Sequence, residues 1–205
     1  MSTPPERKDS APAGSDGYEA VAEQFIARRD PWIGVPEVLA WARGMPQGRA
    51  ILDLGCGHGV PIGRALAHAG YRVHGVDASP ALVAAFRANV PGATAEIARI
   101  EAFDVSRAIH DGVVAWGVLF FLSPAGQERV IANVAAALRA DGPGRFLFTA
   151  PRDAFSWDDV LNGATCVSLG FERYREVLEQ HGFSLQRTYL DSADNHYFES
   201  VRRPS

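Results

Sequence analysis

The sequence has few cysteines, no long apolar run and no excess of positive charge. Two cysteines, Cys56 and Cys166, could form one disulfide by number alone, but they are too few for a disulfide framework and lie in no CxxC or zinc-binding spacing. No apolar run approaches the roughly 18 residues of a membrane helix, and the N-terminus lacks the apolar core of a signal peptide. These absences predict a soluble, cytoplasmic protein with reduced thiols.

The charge balance argues against polyanionic partners. The chain has 20 Lys and Arg residues against 24 Asp and Glu residues, a formal net charge of -4. This gives no basic footprint for nucleic acid, and no Lys/Arg block of the kind that binds anionic membranes occurs. The sequence therefore predicts a small-molecule partner, with no nucleic acid and no membrane, for a protein that is a monomer or a homodimer.

The chain divides into a short tail and one domain. Residues 1–16 are rich in Pro, Ser, Gly and charged residues and are expected to form a disordered tail. The remaining residues 17–205 are enough for one domain with a core of its own. This domain begins with apolar residues at helical spacing from Tyr18 to Phe25, which predicts a leading helix that ends before Pro31.

Strand-like and helical patterns then alternate along the chain. Two helices have clear start signals, because Ser79-Pro80 and Ser123-Pro124 each place a capping hydroxyl before a proline in the first turn. The short β-rich runs cover residues 50–54, 72–76, 95–99, 112–117 and 145–150. Such alternation predicts a doubly wound, mostly parallel α/β sheet of the Rossmann-like kind, covered by helices on both faces.

The C-terminal part departs from this alternation. A helix is predicted from about Phe171 to His181, and after it two strand-like runs flank the short turn at 191–195. So short a connection can join only antiparallel neighbours. Residues 151–170 are polar, contain Trp157 and show no strong periodicity, so they are predicted to be a loop that either shapes a substrate pocket or faces solvent.

Glycine is dense directly behind the first predicted strand. The stretch ILDLGCGHGVPIG contains Gly55, Gly57, Gly59 and Gly63. Glycine lets the backbone approach a ligand closely, although a tight turn alone would also account for such density. The second strand ends at Asp77, 18 residues past Gly59, where a carboxylate can accept both hydroxyls of a ribose. Together these features predict a site for a nucleoside-containing ligand at the carboxyl ends of the strands.

The spacing argues against a nicotinamide or flavin dinucleotide. The G-x-G-x-x-G fingerprint of such sites, counted from Gly55 or Gly57, puts its third glycine at Val60 or Ile62. These larger side chains stand where close packing of the helix requires none. A nicotinamide-dependent oxidoreductase is therefore a less favoured alternative.

The pattern present is Asp53-x-Gly55-x-Gly57-x-Gly59, with Asp77 after the next strand. It resembles the first two motifs of the class I S-adenosylmethionine-dependent methyltransferases, and the resemblance extends over nearly the whole chain after the tail. It implies a seven-stranded sheet whose last strand runs antiparallel between its neighbours, and S-adenosylmethionine as the cofactor.

The same resemblance implies which residues hold the cofactor. The backbone of Gly55–Gly57, Cys56 included, would line the methionine portion. Asp53 would orient the amino group of the methionine, directly or through water. Asp77 would bind the ribose, with Ala78 beside it.

Further cofactor candidates follow the third and fourth strands and the leading helix. Ile100 would contact the face of the adenine, and Glu101 would bind its edge through the side chain or the backbone. Ala115 and Trp116 would fall near the methionine portion, although Trp116 could instead be a structural aromatic. Arg29, at the end of the leading helix, would pair with the methionine carboxylate, since a guanidinium matches a carboxylate in geometry. A solvated partner of the helix dipole is the alternative for Arg29.

His196 is the candidate catalytic residue. The turn before it returns to the cofactor side of the sheet, where an imidazole could take a proton from the acceptor. A hydrogen-bonded structural histidine is the alternative. Tyr18 either covers the cofactor as part of a lid or belongs to the core. No spacing of His, Cys, Asp or Glu in the sequence indicates a metal site.

The acceptor is inferred mainly from what the sequence lacks. An Asn/Asp-Pro-Pro-Tyr sequence, which many family members that methylate nucleobases or glutamine carry after the fourth strand, is missing, and AWGVLFF stands there. With the acidic balance, this predicts methylation of an O, N or S atom of a small molecule. A macromolecule methyltransferase is less favoured. A protein that binds S-adenosylmethionine without transferring methyl, in regulation or in support of another reaction, stays open, because a fold does not fix chemistry.

Overall fold

A seven-stranded sheet forms the centre of the protein. The computed structural model describes residues 15–104, 109–139 and 144–203. In spatial order the strands are β3 (Thr94–Ile97), β2 (Arg72–Asp77), β1 (Ala50–Leu54), β4 (Gly112–Ala115), β5 (Arg145–Thr149), β9 (His196–Arg202) and β8 (Phe183–Leu190). The first five pair in parallel, and β9 runs antiparallel between β5 and β8. The predicted sheet, including its reversed last strand, is confirmed.

Helices flank this sheet. They are a 3-10 helix (Ser15–Val21), α1 (Ala22–Arg28), α2 (Val35–Ala42), α3 (Ile62–His68), α4 (Pro80–Asn89), a 3-10 turn (Leu119–Phe121), α5 (Pro124–Ala137) and α6 (Phe171–Gln180). Both predicted N-caps are confirmed. The Ser79 hydroxyl accepts the Leu82 amide at 3.1 Å, and the Ser123 hydroxyl accepts the Gly126 amide at 3.2 Å. These caps define where α4 and α5 begin.

The core consists of two layers, one on each face of the sheet. Alternate residues of β5 enter different layers, because Phe146 and Phe148 pack on one face and Leu147 on the other. On the first face, the rings of Phe148 and Phe198 stack in parallel at 4.7 Å. On the second, Trp41 of α2 is fully buried. With both faces covered, the carboxyl ends of the parallel strands are the edge at which a ligand can reach the backbone.

A buried ion pair connects the last three strands of the sheet. The carboxylate of Glu199, in the middle of β9, binds Arg145 of β5 and accepts the Arg187 Nε of β8 at 2.8 Å. Glu199 is only 4 % exposed. Its two oxygens therefore serve one partner on each neighbouring strand, and the reversed strand is fixed in register on both sides.

The segment between β5 and α6 differs from the prediction. The expected loop at residues 151–170 contains a β-hairpin whose strands, β6 (Ala154–Asp158) and β7 (Thr165–Leu169), form a two-stranded sheet of their own. In its turn the Gly163 amide donates to the Asp159 carbonyl at 2.8 Å. Most of β6 is exposed, so its sequence lacks the apolar periodicity that marks a core strand.

Three smaller expectations concern the tail, the thiols and membrane helices. The predicted tail, residues 1–16, lies outside the described residues except for Ser15 and Asp16, which begin the first 3-10 helix. Cys56 and Cys166 are both free and buried. Within the described part of the chain, no helix has the length and apolar character needed to cross a membrane.

Candidate functional site

A cavity of about 610 Å³ lies at the carboxyl ends of the parallel strands. It is centred where the strand order reverses between β1 and β4, the place at which open α/β sheets bind ligands. Residues that follow β1, β2, β4 and β5 line it, together with the leading helix, the hairpin and the turn before β9. Most predicted site residues lie in this lining: Tyr18, Arg29, Asp53, Gly55, Cys56, Gly57, Asp77, Ala78, Ile100, Trp116 and His196.

The glycine loop after β1 presents bare backbone to this cavity. Gly55 and Gly57 have φ angles of 70° and 53°, in the left-handed region that favours glycine. A Cβ at Gly55 would also overlap the side chain of Val118. The amides of Gly55 and Cys56 donate to the Val76 carbonyl at 2.8 and 3.1 Å, which holds the loop against β2. The backbone conformation therefore requires glycine at these positions. The absence of side chains there also keeps the space in front of the loop open to a ligand.

Asp77 ties the glycine loop to the start of α4. Its Oδ2 accepts the Gly57 amide and its Oδ1 accepts the Ser79 amide, both at 2.9 Å. Each carboxylate oxygen has a second lone pair, so the group can accept further hydrogen bonds from a ligand. Burial raises the pKa of Asp77, and the amide donors oppose that shift. The Ser79 hydroxyl also binds the Glu19 carboxylate, which attaches the leading helix to this corner.

Asp53 and Arg29 bring a carboxyl group and a guanidinium to the cavity. Asp53 is 2 % exposed, and its Oδ2 has no hydrogen-bond partner among the described residues. Burial, followed by the charge of Asp77, raises the pKa of Asp53 to about 8. The Arg29 guanidinium lies 4.5 Å over the Trp116 ring and 5.2 Å over that of Phe25. An ammonium bound beside Asp53 would favour its ionised form, so this pair suits a ligand that carries both an ammonium and a carboxylate.

The raised pKa of Asp53 makes stability depend on pH. Between its usual pKa of 3.8 and about 8, the folded protein holds a proton at Asp53 that the unfolded chain has released. The free energy of unfolding therefore falls as pH rises through this window, and the loss is complete above it. We expect Asp53→Asn to gain stability relative to the wild type as pH rises, measured by urea unfolding of the cofactor-free protein from about pH 5 to about pH 9.

The matched control is Asp158→Asn, which removes an exposed carboxylate of β6 that makes one side-chain hydrogen bond, to Thr165. Its difference from the wild type should stay constant over the same pH range. A constant difference for Asp53→Asn as well would show that Asp53 is charged in the folded protein at all of these pH values.

Trp116 is held by a chain of hydrogen bonds that reaches the turn before β9. Its indole Nε1 donates to the Tyr197 hydroxyl at 2.8 Å, and that hydroxyl donates to Asp191 Oδ2 at 3.1 Å. Asp191 also accepts two backbone amides of the turn at 191–195, both at 2.9 Å. The ring on which Arg29 lies is thus connected to the turn on the other side of the cavity.

Two predicted cofactor residues do not line the cavity. The carboxylate of Glu101 binds the Arg99 guanidinium at 2.6 Å, so its side chain is held by its own neighbour. Ala115 is fully buried in the core layer opposite to that of Trp116, as the alternation along a strand requires. Ile100 does line the cavity and is also buried. The positions of Glu101 and Ala115 therefore do not support the contacts predicted for their side chains.

The titratable groups of the glycine loop are poor candidates for chemistry. The Cys56 sulfur lies behind the loop, 2.7 Å from where a Cβ on Gly75 would be. Burial raises the pKa of the Cys56 thiol well above its usual value, which keeps it protonated and weakly nucleophilic. The His58 ring packs edge-on against Phe25 at 5.7 Å, and burial lowers its pKa. Both side chains fill space around the loop.

His196 lies at the end of the cavity that β5 and β9 form. Its ring packs edge-on against Phe198 at 4.8 Å, and the residue is 7 % exposed. Its Nδ1 has no hydrogen-bond partner in the described part of the chain. Burial, together with the charge of Arg152, lowers the pKa of His196 and favours the neutral imidazole. Because His196 lines the cavity, its neutral imidazole can accept a hydrogen bond or a proton from a molecule there.

The leading helix and the hairpin meet across the cavity. The Tyr18 hydroxyl lies 3.3 Å from both carboxylate oxygens of Asp159, to which it donates. The Tyr18 ring packs edge-on against Phe25 and Phe121, with both centroids at 5.2 Å. Tyr18 therefore joins two walls of the cavity that are far apart in sequence.

Sequence reasoning missed most of what the hairpin and the turn before β9 contribute. The additional lining residues there are Phe155, Asp159, Asn162, Ala164, Asp194 and Asn195. A signal for them existed, because Phe155 and Trp157 are two residues apart and would share one face of a strand. The Asn-Gly pair at 162–163 is also a common hairpin turn sequence.

A comparison with protein families matches residues 51–142 to the family described as "Methyltransferase domain". The matched segment begins at β1 and contains the glycine loop and Asp77. No curated protein matches this chain.

Solved structures with a similar fold are methyltransferases. A TehB-like SAM-dependent methyltransferase from Corynebacterium glutamicum is 25% identical, with a TM-score of 0.67 over 92% of this chain and 97% of that chain. The magnesium protoporphyrin IX methyltransferase of Synechocystis, solved with bound SAM, is 21% identical, with a TM-score of 0.63 over 91% and 80%. The 1,6-didemethyltoxoflavin-N1-methyltransferase of Burkholderia thailandensis, solved with 1,6-didemethyltoxoflavin and S-adenosylhomocysteine, is 19% identical, with a TM-score of 0.67 over 96% and 93%.

Proposed function

We propose that this chain is a class I S-adenosylmethionine-dependent methyltransferase that methylates an O, N or S atom of a small molecule. The contact between Tyr18 and Asp159 carries the proposal, because it joins the leading helix to the hairpin across the cavity. Because the leading helix and the hairpin enclose the cavity, it favours an acceptor small enough to fit entirely inside. The absence of a basic surface excess agrees with this, since nucleic acid would require one.

The lining residues fit S-adenosylmethionine. The unpaired Asp53 carboxylate and the Arg29 guanidinium match the ammonium and the carboxylate of a methionine portion. Asp77 has lone pairs left for the ribose hydroxyls. The buried Ile100 side chain offers an apolar surface to the adenine. Each of these assignments is part of the proposal.

When bound, this cofactor supplies an electrophilic methyl group on a sulfonium, which an acceptor lone pair takes in an in-line displacement. The protein's own contribution is to align the acceptor and to exclude water. Tyr18, Phe121 and the hairpin cover the cavity and so serve the second purpose. Trp116, fixed by Tyr197, limits the positions open to Arg29 and so helps to hold the cofactor in line with the acceptor.

The proposal is tested in two steps. Isothermal titration should show binding of both S-adenosylmethionine and S-adenosylhomocysteine; binding of neither would overturn it. Incubation with radiolabelled S-adenosylmethionine and a cell extract, divided by ultrafiltration, should then label a compound in the small-molecule fraction. Label in protein or nucleic acid alone would overturn the proposed acceptor class and leave the methyltransferase activity standing.

His196 is proposed as the group that takes the proton of the acceptor. Its place in the cavity lining and its lowered pKa support this role. For an acceptor hydroxyl, the oxygen lone pair would form the new bond to the methyl carbon while the bond from that carbon to the sulfonium sulfur breaks, its electron pair staying on the sulfur of S-adenosylhomocysteine. The hydroxyl proton would pass to the imidazole of His196. An acceptor without a removable proton would use His196 only as a hydrogen-bonding group.

Replacing His196 with alanine is expected to lower kcat by about 100-fold for an acceptor that must lose a proton. The Kd for S-adenosylmethionine should stay the same, because the other cofactor groups are left in place. Initial rates with the labelled acceptor and titration of the cofactor measure the two effects. The exposed His181, just after α6, provides the control His181→Ala, and unchanged turnover in both variants would remove His196 from the mechanism.

A further inference from the structure

One group of residues in the cavity lining takes no part in the proposed S-adenosylmethionine site. We call the space that they line the acceptor compartment; they are Phe120, Phe155, Trp157, Asp159, Asp194 and His196. None of these residues is among those proposed to hold S-adenosylmethionine. Its character therefore bears on the second substrate.

One side of the acceptor compartment is aromatic. The Trp157 ring lies between those of Phe120 and Phe155, with centroids 5.3 and 5.1 Å away. Phe155 is 50% exposed although it lines the cavity, so this cluster leaves apolar ring surface uncovered. Flat aromatic surface of this kind binds a flat aromatic partner with a gain beyond area burial alone.

Two carboxylates, those of Asp159 and Asp194, line the acceptor compartment. Asp159 accepts the Tyr18 hydroxyl and two backbone amides of its own turn, so its carboxylate is largely occupied. The Asp194 side chain also lines the cavity. Among the described residues, none forms a hydrogen bond or an ion pair with it. Arg29 is the only Lys or Arg among the described lining residues, and it lies at the cofactor end.

The backbone holds Asp194 in place. Its φ angle is 61°, and its amide donates to the Asp191 carbonyl at 3.2 Å. Asp191 is also the end of the hydrogen-bond chain that begins at Trp116. A carboxylate carried by an anchored turn keeps its position, whereas one on a free loop would not. The unpaired Nδ1 of the buried His196, on the adjoining strand, adds a second polar group without a partner.

We propose that the acceptor compartment binds a flat aromatic compound bearing a basic amine, with its ring against Trp157 and Phe155 and its ammonium group at Asp194. This inference rests on the proposed function, since it assigns the second substrate of the same site. An anionic aromatic compound would meet two carboxylates and no cation, and a saturated amine would leave the aromatic cluster uncovered.

Three matched probes test this on protein saturated with S-adenosylhomocysteine. Tryptamine carries an aromatic ring and an ammonium, indole-3-propionate replaces the ammonium by a carboxylate, and 2-cyclohexylethylamine replaces the ring by a saturated one. Isothermal titration should show tryptamine binding at least about tenfold more tightly than either other probe. Absence of tryptamine binding, or equal or tighter binding of either other probe, would overturn the inference.

Two substitutions assign the binding to the named residues. Asp194→Asn should weaken tryptamine binding about tenfold and leave indole-3-propionate no weaker. Asparagine tolerates the left-handed backbone of this position, so the turn should be kept. Trp157→Leu should weaken both indole probes and spare the saturated amine. Asp158→Asn, outside the cavity lining, is the control and should change nothing.

This test separates the two levels of the argument. Failure of S-adenosylhomocysteine itself to bind would overturn the proposed function. Normal S-adenosylhomocysteine binding with the wrong order of probes, or with an unchanged tryptamine affinity in Asp194→Asn, would overturn only the acceptor class.

Discussion

Replacing Asp77 with alanine is expected to weaken S-adenosylmethionine binding by about 100-fold or more. Two charge-assisted hydrogen bonds to the ribose hydroxyls would be lost, each worth roughly 1.5 to 3 kcal/mol. The glycine loop would also lose the carboxylate that accepts the Gly57 amide at 2.9 Å. Direct and indirect effects act in the same direction, so this should be the most damaging single change at the cofactor end. Isothermal titration measures it.

The control for this variant is Asp111→Ala, at the other end of the parallel strands. Asp111 accepts the Ala50 amide at 2.9 Å and pairs with Arg49, so its removal also disturbs the start of a strand. Its effect on cofactor affinity should be less than about threefold, because it lies away from the cavity lining. Cofactor affinity within threefold of the wild type in Asp77→Ala would contradict the assignment of Asp77.

Replacing Glu199 with alanine is expected to lower the free energy of unfolding by about 3 kcal/mol. Glu199 is buried and binds an arginine on each neighbouring strand. Without it, Arg145, whose side chain is 19% exposed, keeps a charge that has lost its partner. Breaking a buried pair costs more than the pair contributes, because the remaining charge stays desolvated. Urea unfolding measures the loss, which corresponds to roughly 6 to 12 °C in Tm.

A surface pair provides the comparison. Glu128 binds Arg173 at 2.6 Å, but their side chains are 35% and 42% exposed. Solvent screens such a pair, so Glu128→Ala should cost less than about 1 kcal/mol. Equal losses in the two variants would mean that burial of Glu199 adds nothing to the strength of its ion pairs.

The sheet and the cofactor end could be predicted because the residues there are required by the conformation of the backbone next to them, and this requirement is visible in the sequence. The glycines of the loop need a backbone conformation that other residues avoid, and that need is visible in the spacing of Gly55 and Gly57. The serine-proline pairs define helix starts by a hydrogen bond within three residues. Asp77 follows a buried strand in the sequence and lies at the cavity in the fold.

The hairpin and two side chains could not be predicted in the same way. The exposed strand β6 has no core face, so periodicity that depends on burial was missing. The Glu101 side chain pairs with Arg99, two residues earlier, and such a local ion pair leaves no pattern in the sequence. Ala115 and Trp116 are neighbours in sequence and face opposite sides of the sheet, so only one of the two side chains can face the cavity.

The wall of the acceptor compartment has two parts, the turn at 191–195 and the hairpin, which differ in how they are connected to Trp116. The turn supports Trp116 through the hydrogen bonds that Asp191 and Tyr197 make. A change in the turn at 191–195 disturbs the support of Trp116, and with it the cofactor end. The strand β6 pairs with β7 in a separate two-stranded sheet, so Phe155 and Trp157 can be exchanged without that cost. Evolution of new acceptor preferences, and their engineering, should therefore proceed through the hairpin, with the turn kept constant.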